Sequence, residues 1–105
     1  MGIKFDGTNV KNGSRTVANM KRSDELREGT SSGGKILGNT KRSNEVREGP
    51  SSGGKIVCNI KDGKNIRAGS SSGGTNLIKI SDAAKAIGSS AQGPSTALVW
   101  WFFAK

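Results

Sequence analysis

Histidine and tyrosine are absent from this 105-residue chain, and cysteine occurs once, at Cys58. Without histidine the chain lacks the commonest general base near neutral pH and any Cys/His set that could hold zinc. A single cysteine cannot form an internal disulfide, so nothing indicates an oxidising compartment. We therefore expect no enzymatic activity, no metal site and no cofactor.

Long hydrophobic runs are also absent. The longest uncharged apolar run, 97–104, is far shorter than the ~20 residues that span a bilayer. The first residues contain no apolar stretch of the kind found in secretory signals. These absences lead us to expect a cytoplasmic protein without a membrane span.

What the chain has in excess is glycine and positive charge. Sixteen glycines indicate many tight turns and short elements, and the length is that of a single domain. The net charge is +9. An anionic partner such as nucleic acid, an acidic polysaccharide or a membrane surface would explain this charge, and so would a soluble surface rich in lysine.

The sequence repeats with a period of twenty residues. Two successive segments are identical at 14 of 20 positions, and the next shares 8 of 20 with the segment before it. This pattern predicts a four-repeat domain, 1–80, and a C-terminal segment, 81–105, that packs on the same domain. The units are about 3–20, 21–40, 41–60 and 61–80.

Each unit is predicted to be a hairpin of two short strands. In the third unit, alternation places Ile56, Cys58 and Ile60 on one face of a strand and Val57 and Asn59 on the other. An Asp-Gly turn precedes the second strand, which ends at a Ser/Gly loop. Paired glycines every twenty residues disfavour helix.

Two sets of positions are always large aliphatics, and we expect them to form a shared core. They are Val17, Leu37, Val57 and Leu77, and Val10, Leu26, Val46 and Ile66. A neighbouring position is small in three units, as expected where copies crowd toward an axis. The predicted fold is therefore mainly all-β, with four tandem hairpins around a pseudo-four-fold axis that protects their edges.

The sequence pattern of residues 55–74 resembles that of the bacterial four-fold β-flower family. It reads K-I-V-C-N-I-K-D-G-K-N-I-R-A-G-S-S-S-G-G. The resemblance covers 3–80 through the repeats and 81–105 through the tail. It implies four hairpin petals followed by a hydrophobic C-terminal segment, and it implies no particular activity. The turns at 23–24 and 43–44 depart from the Asp-Gly that is usual in the family.

The composition changes after the fourth unit. Ser81 or Asp82 is expected to cap a short helix, 82–87, that Gly88 ends. Residues 95–105 hold four of the five aromatics and are apolar on all sides. We expect this segment to be buried against the repeats or against another chain or copy, and a membrane-inserting wedge is the alternative. The candidate interface residues are Leu98, Trp100, Trp101, Phe102 and Phe103.

The residues that could act in catalysis are better explained as structural residues. Cys58 occupies a small repeat position, which favours a core residue over a nucleophile. Four carboxylates recur beside arginines, and cross-strand ion pairs explain them better than an acid/base pair. They are Glu25, Glu28, Glu45 and Glu48.

Two sets of cations are candidates for binding anions. One set occupies an equivalent position in all four units, and the other lies at the turns. The candidate anion-binding residues are Lys11, Arg27, Arg47, Arg67, Lys21, Arg22, Lys41 and Arg42. The Ser/Gly loops offer backbone N–H groups to phosphate or are plain connectors.

These patterns leave two functional classes open. The first is a non-enzymatic structural or protein-interaction module that uses the apolar tail as its contact. The second is a multivalent binder of an anionic polymer, nucleic acid or acidic polysaccharide, through the repeated Lys/Arg positions. Aromatics that could stack on bases are absent from 6–99, which weakens the case for single-stranded nucleic acid.

Overall fold

A computed structural model describes residues 2–21, 24–31, 33–41, 44–51, 53–71, 73–89 and 93–105. Within these residues, nine strands form one antiparallel sheet in which each strand pairs with its neighbours in sequence. The strands are β1 Ile3–Phe5, β2 Asn9–Asn12, β3 Arg15–Asn19, β4 Glu25–Glu28, β5 Ile36–Asn39, β6 Glu45–Glu48, β7 Ile56–Asn59, β8 Asn65–Ala68 and β9 Asn76–Lys79. Two helices follow, α1 Ile80–Ala86 and α2 Pro94–Phe103. The predictions of a mainly β chain and of a helical C-terminal segment are confirmed.

The sheet is open, with β1 and β9 at its two edges. Four hairpins follow β1, formed by β2–β3, β4–β5, β6–β7 and β8–β9. Because the sheet is an antiparallel meander, all four hairpin loops lie at the same end of it. The pseudo-four-fold axis stays a prediction, since the strand order alone does not close a ring.

Every hairpin contains a β-bulge at the same place. The register shifts so that one residue in the second strand has no partner, and these residues are Val17, Leu37, Val57 and Leu77. A bulge re-aims the side chains around it. Val57 and its neighbour Cys58 are consequently both buried, and the simple alternation that put them on opposite faces was wrong.

The other predicted aliphatic set is the centre of the core. Val10, Leu26, Val46 and Ile66 are at most 1% exposed, as expected from the repeat. Of the bulge residues, only Val57 is buried, whereas the other three are half-buried and pack against the core from its edge.

Helix α2 packs against β5, β6 and β7. Ala97, Leu98 and Val99 are fully buried, which agrees with a segment that is apolar on all sides. A Cβ atom on Gly38 would lie 2.6 Å from Phe102 Cε2 and 3.0 Å from Leu98 Cδ1. That Cβ would also lie 2.7 Å from the Arg47 carbonyl oxygen of the next unit, so the small residue makes room both for α2 and for the neighbouring copy.

Helix α1 continues directly from β9. It begins at Ile80 with Lys79 as N-cap and no side-chain capping bond, so the predicted cap at Ser81 or Asp82 was wrong. The N–H of Phe5 donates to the Ile87 carbonyl at 2.7 Å, which ties the end of α1 to the first strand. In the described part of the chain, neither helix is long and apolar enough to cross a membrane.

Candidate functional site

The repeated arginines Arg27 and Arg47 are largely covered, with side chains 13% and 12% exposed. Arg47 follows the buried core residue Val46 in β6. Its Nη2 lies 2.7 Å from Glu45 Oε1, and its Nη1 donates to the Gly54 carbonyl at 2.6 Å. Arg27 makes the same two contacts twenty residues earlier, at 2.7 and 2.8 Å. These ion pairs join positions i and i+2 of one strand, not neighbouring strands as expected.

Arg67 is held in a different way because Asn65 stands where the second and third units have a glutamate. Its Nε donates to Asp62 Oδ2 at 2.7 Å, and its Nη1 donates to the Gly74 carbonyl at 2.9 Å. All three guanidinium groups are thus engaged by the carboxylate and loop of their own hairpin. The Nε atoms of Arg27 and Arg47 make no hydrogen bond but are buried, and both side chains are at most 13% exposed, so an external anion has little access to them.

The turn lysines connect one hairpin to the next. Lys41 Nζ lies 3.0 Å from Glu25 Oε2 and donates to the Pro50 carbonyl at 2.7 Å. Lys61 Nζ repeats this arrangement with Glu45 Oε2 at 3.1 Å. These lysines therefore also serve contacts inside the protein.

The remaining anion-site candidates are less constrained by contacts. Lys11 is exposed on β2. Lys21 is exposed and its Nζ donates to the Thr30 carbonyl at 2.6 Å. Arg22 and Arg42 lie outside the described residues.

The paired carboxylates are held in their ionised form. Hydrogen bonds from Lys41 and Arg27 lower the pKa of Glu25, and hydrogen bonds from Arg47 and Lys61 lower that of Glu45. A carboxylate with a lowered pKa is a poor general base near neutral pH, because it holds a proton weakly. These residues suit a structural ion pair better than acid/base chemistry.

The Ser/Gly loops use their own N–H groups. Gly33 N–H donates to Ser31 Oγ at 3.0 Å, and Gly34 N–H donates to the Ser31 carbonyl at 3.1 Å. The loops at 51–54 and 71–74 contain the same two bonds. Among the described loop residues, the N–H groups of Gly33 and Gly34 and of their equivalents are therefore already donated.

A set of buried asparagines holds these loops, and the sequence interpretation overlooked it. Asn39 Nδ2 donates to the carbonyls of Gly49 and Ser51 at 2.7 and 3.0 Å, and its Oδ1 accepts from Lys41 N–H at 3.2 Å. Asn19 and Asn59 make equivalent bonds, and all three are 0% exposed. The available signal was an asparagine repeated every twenty residues just before a turn.

Cys58 is a buried thiol with no exposed surface. Burial raises its pKa to about 12, which keeps it protonated at physiological pH. A protonated, buried thiol is neither a good nucleophile nor a metal ligand. Within the described residues, no group of three or more Cys, Asp or Glu could hold a metal ion.

The C-terminal end of α2 reaches the loop end of the sheet. Phe102 lines an open depression of about 440 Å³ together with Leu37, Glu48 and Lys55. Trp101, Phe102 and Phe103 are half-buried, whereas Leu98 and Trp100 are buried in the core. We call the surface formed by the three half-buried aromatics and the half-buried bulge residue Leu37 the aromatic end.

Cations lie at the same end of the sheet, and Lys35 and Lys55 line the depression with Phe102. Arg15, Lys35 and Lys55 stand two residues before the bulges of the first three hairpins and are exposed. Lys105 Nζ lies 4.2 Å from the centroid of the Trp101 ring. We call these four residues the basic rim. Two exposed carboxylates, Glu28 and Glu48, lie at the same end, so four positive charges face two negative ones.

No family model matches this sequence, and no curated protein or solved structure matches it.

Proposed function

We propose that the chain is a non-enzymatic interaction module whose contact surface is the aromatic end. The observation that carries this proposal is the cluster of half-buried aromatic and aliphatic side chains at one end of the molecule. Exposed apolar side chains that are contiguous and bordered by charge are typical of interaction sites. The buried part of α2 meanwhile anchors the cluster in the core.

The state of the reactive groups supports a non-enzymatic role. The Cys58 thiol is buried and protonated, and Glu25 and Glu45 are engaged in ion pairs. Histidine is absent from the sequence. Acid/base or nucleophilic catalysis has few groups left to use.

We also propose that the four hairpins surround a pseudo-four-fold axis, as the resemblance to the β-flower family implies. Support comes from features that recur twenty residues apart. Every hairpin has its bulge at the equivalent residue, and Asn19, Asn39 and Asn59 each hold the next loop. A cytoplasmic location belongs to the same proposal.

The alternative function, binding of an anionic polymer through the repeated cations, draws support from the net charge of +9. Its weakness is that Arg27, Arg47 and Arg67 are engaged internally. Elution from a heparin column in rising salt tests it. Under this alternative, Arg47→Gln would elute much earlier than Lys85→Gln, a change of equal charge outside the repeats.

Site-specific photo-crosslinking tests the interaction module. Benzoylphenylalanine would replace Phe103 in the aromatic end, and in a second variant Lys64 at a turn, in cells that express the chain. We expect adducts of cellular material at position 103 and few at position 64, because only the first lies in the proposed contact surface.

The nature of the adduct is read by mass spectrometry. A protein, a second copy of the chain or a lipid attached at position 103 would each support the module. Equal labelling at both positions, or none at either in correctly folded protein, would contradict it.

A further inference from the structure

The aromatic end brings aromatic, aliphatic and cationic side chains together. Trp101, Phe102 and Phe103 sit at the tip of a helix whose preceding turn is buried. Leu37, at the bulge of the second hairpin, lines the same depression as Phe102. Lys35 and Lys55 of the basic rim line this depression too, and Lys105 lies over the Trp101 ring.

We propose that the aromatic end binds the surface of a membrane that contains anionic lipids. This inference rests on the interaction module proposed above and names its partner. The aromatic and aliphatic side chains would enter the boundary between headgroups and acyl chains, while the basic rim would contact the anionic headgroups.

The side-chain chemistry matches this partner. Tryptophan is enriched where a bilayer meets water, and phenylalanine and leucine are typical of the inserted face of surface-bound proteins. Lysine and arginine reach anionic headgroups while their apolar stems lie along hydrophobic surface. No helix of the described residues spans a membrane, so the mode is attachment to the surface.

Charge argues against a second copy as the occupant. Two aromatic ends meeting face to face would bring Arg15, Lys35, Lys55 and Lys105 of both copies together. The whole chain carries +9, so long-range repulsion adds to this local cost. A bilayer containing anionic lipid supplies the opposite charge over its whole area.

Size argues against a folded protein partner. A stable protein interface takes roughly 20–30 residues from each side, and the aromatic end with its basic rim has far fewer. A membrane needs no such area, because a few inserted apolar side chains and a few lysines act together.

Vesicle binding by the purified chain tests the proposal. The probes are vesicles of phosphatidylcholine alone and of phosphatidylcholine mixed with phosphatidylglycerol, with binding measured by co-sedimentation and by the blue shift of tryptophan emission. We expect binding to the mixed vesicles, little binding to the neutral ones, and a loss of binding as salt rises.

Two double variants of equal charge locate the surface. Lys35→Gln with Lys55→Gln should weaken binding to mixed vesicles by about 30-fold, since each lysine near an anionic surface contributes about 1 kcal/mol. Lys64→Gln with Lys85→Gln changes exposed lysines at a turn and on α1. That control should weaken binding by no more than about threefold, because charges farther than about 8 Å from the surface are screened.

The apolar contribution is tested without changing charge. Leu37→Gln alters a half-buried bulge residue and should reduce both the bound fraction and the emission shift. Unchanged circular dichroism confirms that each variant is folded.

Three results would overturn the proposal. They are absence of binding to mixed vesicles, equal binding to neutral vesicles, and equal losses in the two double variants. If photo-adducts at position 103 are proteins and vesicles do not bind, the lipid partner is rejected while the interaction module stands.

Discussion

At the scale of single residues, Asn39 shows how one buried side chain determines the path of a loop. Its amide donates to two carbonyls of the loop that begins at Gly49, and its oxygen accepts a turn N–H. Both polar atoms of the Asn39 side chain, Nδ2 and Oδ1, are therefore hydrogen-bonded. Such a fully satisfied buried amide stabilises one loop conformation, because any other would leave polar groups unpaired.

Asn39→Asp is expected to destabilise the fold by about 3 kcal/mol or more. The substitution turns the buried donor into a charged acceptor that faces the carbonyl oxygens of Gly49 and Ser51. Urea unfolding measures the loss. Asn12→Asp, at an exposed position in β2, is the matched control and should change stability by less than about 0.5 kcal/mol. Similar losses in both variants would show that Asn39 does not hold the loop.

Sequence patterns predicted the residue classes better than their individual roles. The repeat correctly identified Val10 and its equivalents as core. Asn39 was overlooked because a lone polar residue in a short strand usually faces water, and only the folded-back loop supplies its partners. The arginines suggested an external anion for a similar reason. A charge pattern does not show the loop carbonyls to which they donate.

At the scale of elements, α2 is a core helix with one partly exposed end. Its middle is buried between the hairpins, and its last turn carries the aromatics of the aromatic end. The uniform apolarity of 97–103 was enough to predict burial. It did not reveal which end is exposed, because a helix that is apolar on all sides has no pattern that distinguishes its ends.

Leu98→Ala should destabilise the protein by about 2–5 kcal/mol. Leu98 is 0% exposed, so truncation leaves a cavity that the surrounding hairpins can only partly fill. The control is Leu77→Ala, a truncation of the same size at a half-buried bulge residue. Thermal unfolding of both variants should show a clearly smaller loss of stability for the control. Equal losses of stability in the two variants would mean that α2 contributes no more to the core than a residue at the edge of the core does.

The bulges could not be predicted from the alternation of side chains along a strand or from the twenty-residue repeat. Alternation predicted that Val57 and Cys58 face opposite sides, and one extra residue per hairpin turns both into the core. The four unpaired residues are all aliphatic, and none is a glycine or proline of the kind that indicates a bulge in a sequence. The same twenty-residue period that predicted the hairpins could not show that each carried an irregularity.

At the scale of the whole molecule, ion pairs join the hairpins and make stability depend on pH. Glu25 and Glu45 have pKa values below the usual 4.5 in the folded protein. The stability that these two ionised carboxylates contribute is therefore fully present above about pH 4.5, and it is lost as pH falls through their lower folded pKa values. Arginine and lysine partners stay charged throughout this range.

Melting temperature is expected to stay nearly constant from pH 7 to about pH 5 and to fall below that. Glu45→Gln should lower it at pH 7 and flatten the acid decline, since one carboxylate that must be protonated is gone. Glu48→Gln removes an exposed carboxylate that makes no ion pair among the described residues. This control should keep the wild-type pH profile, and an equal flattening in both variants would contradict the role of the pairs.

The position of α2 in the chain has a consequence for synthesis on the ribosome. The helix that completes the core follows all nine strands, so Val10 and Leu26 emerge long before Leu98 can cover them. At about 5–20 residues per second, the interval between Val10 and Leu98 is roughly 4–18 s. During that time the growing sheet exposes apolar side chains and unpaired edges, which are the features that chaperones recognise. The nascent chain should therefore depend on protection from aggregation more than its small size suggests.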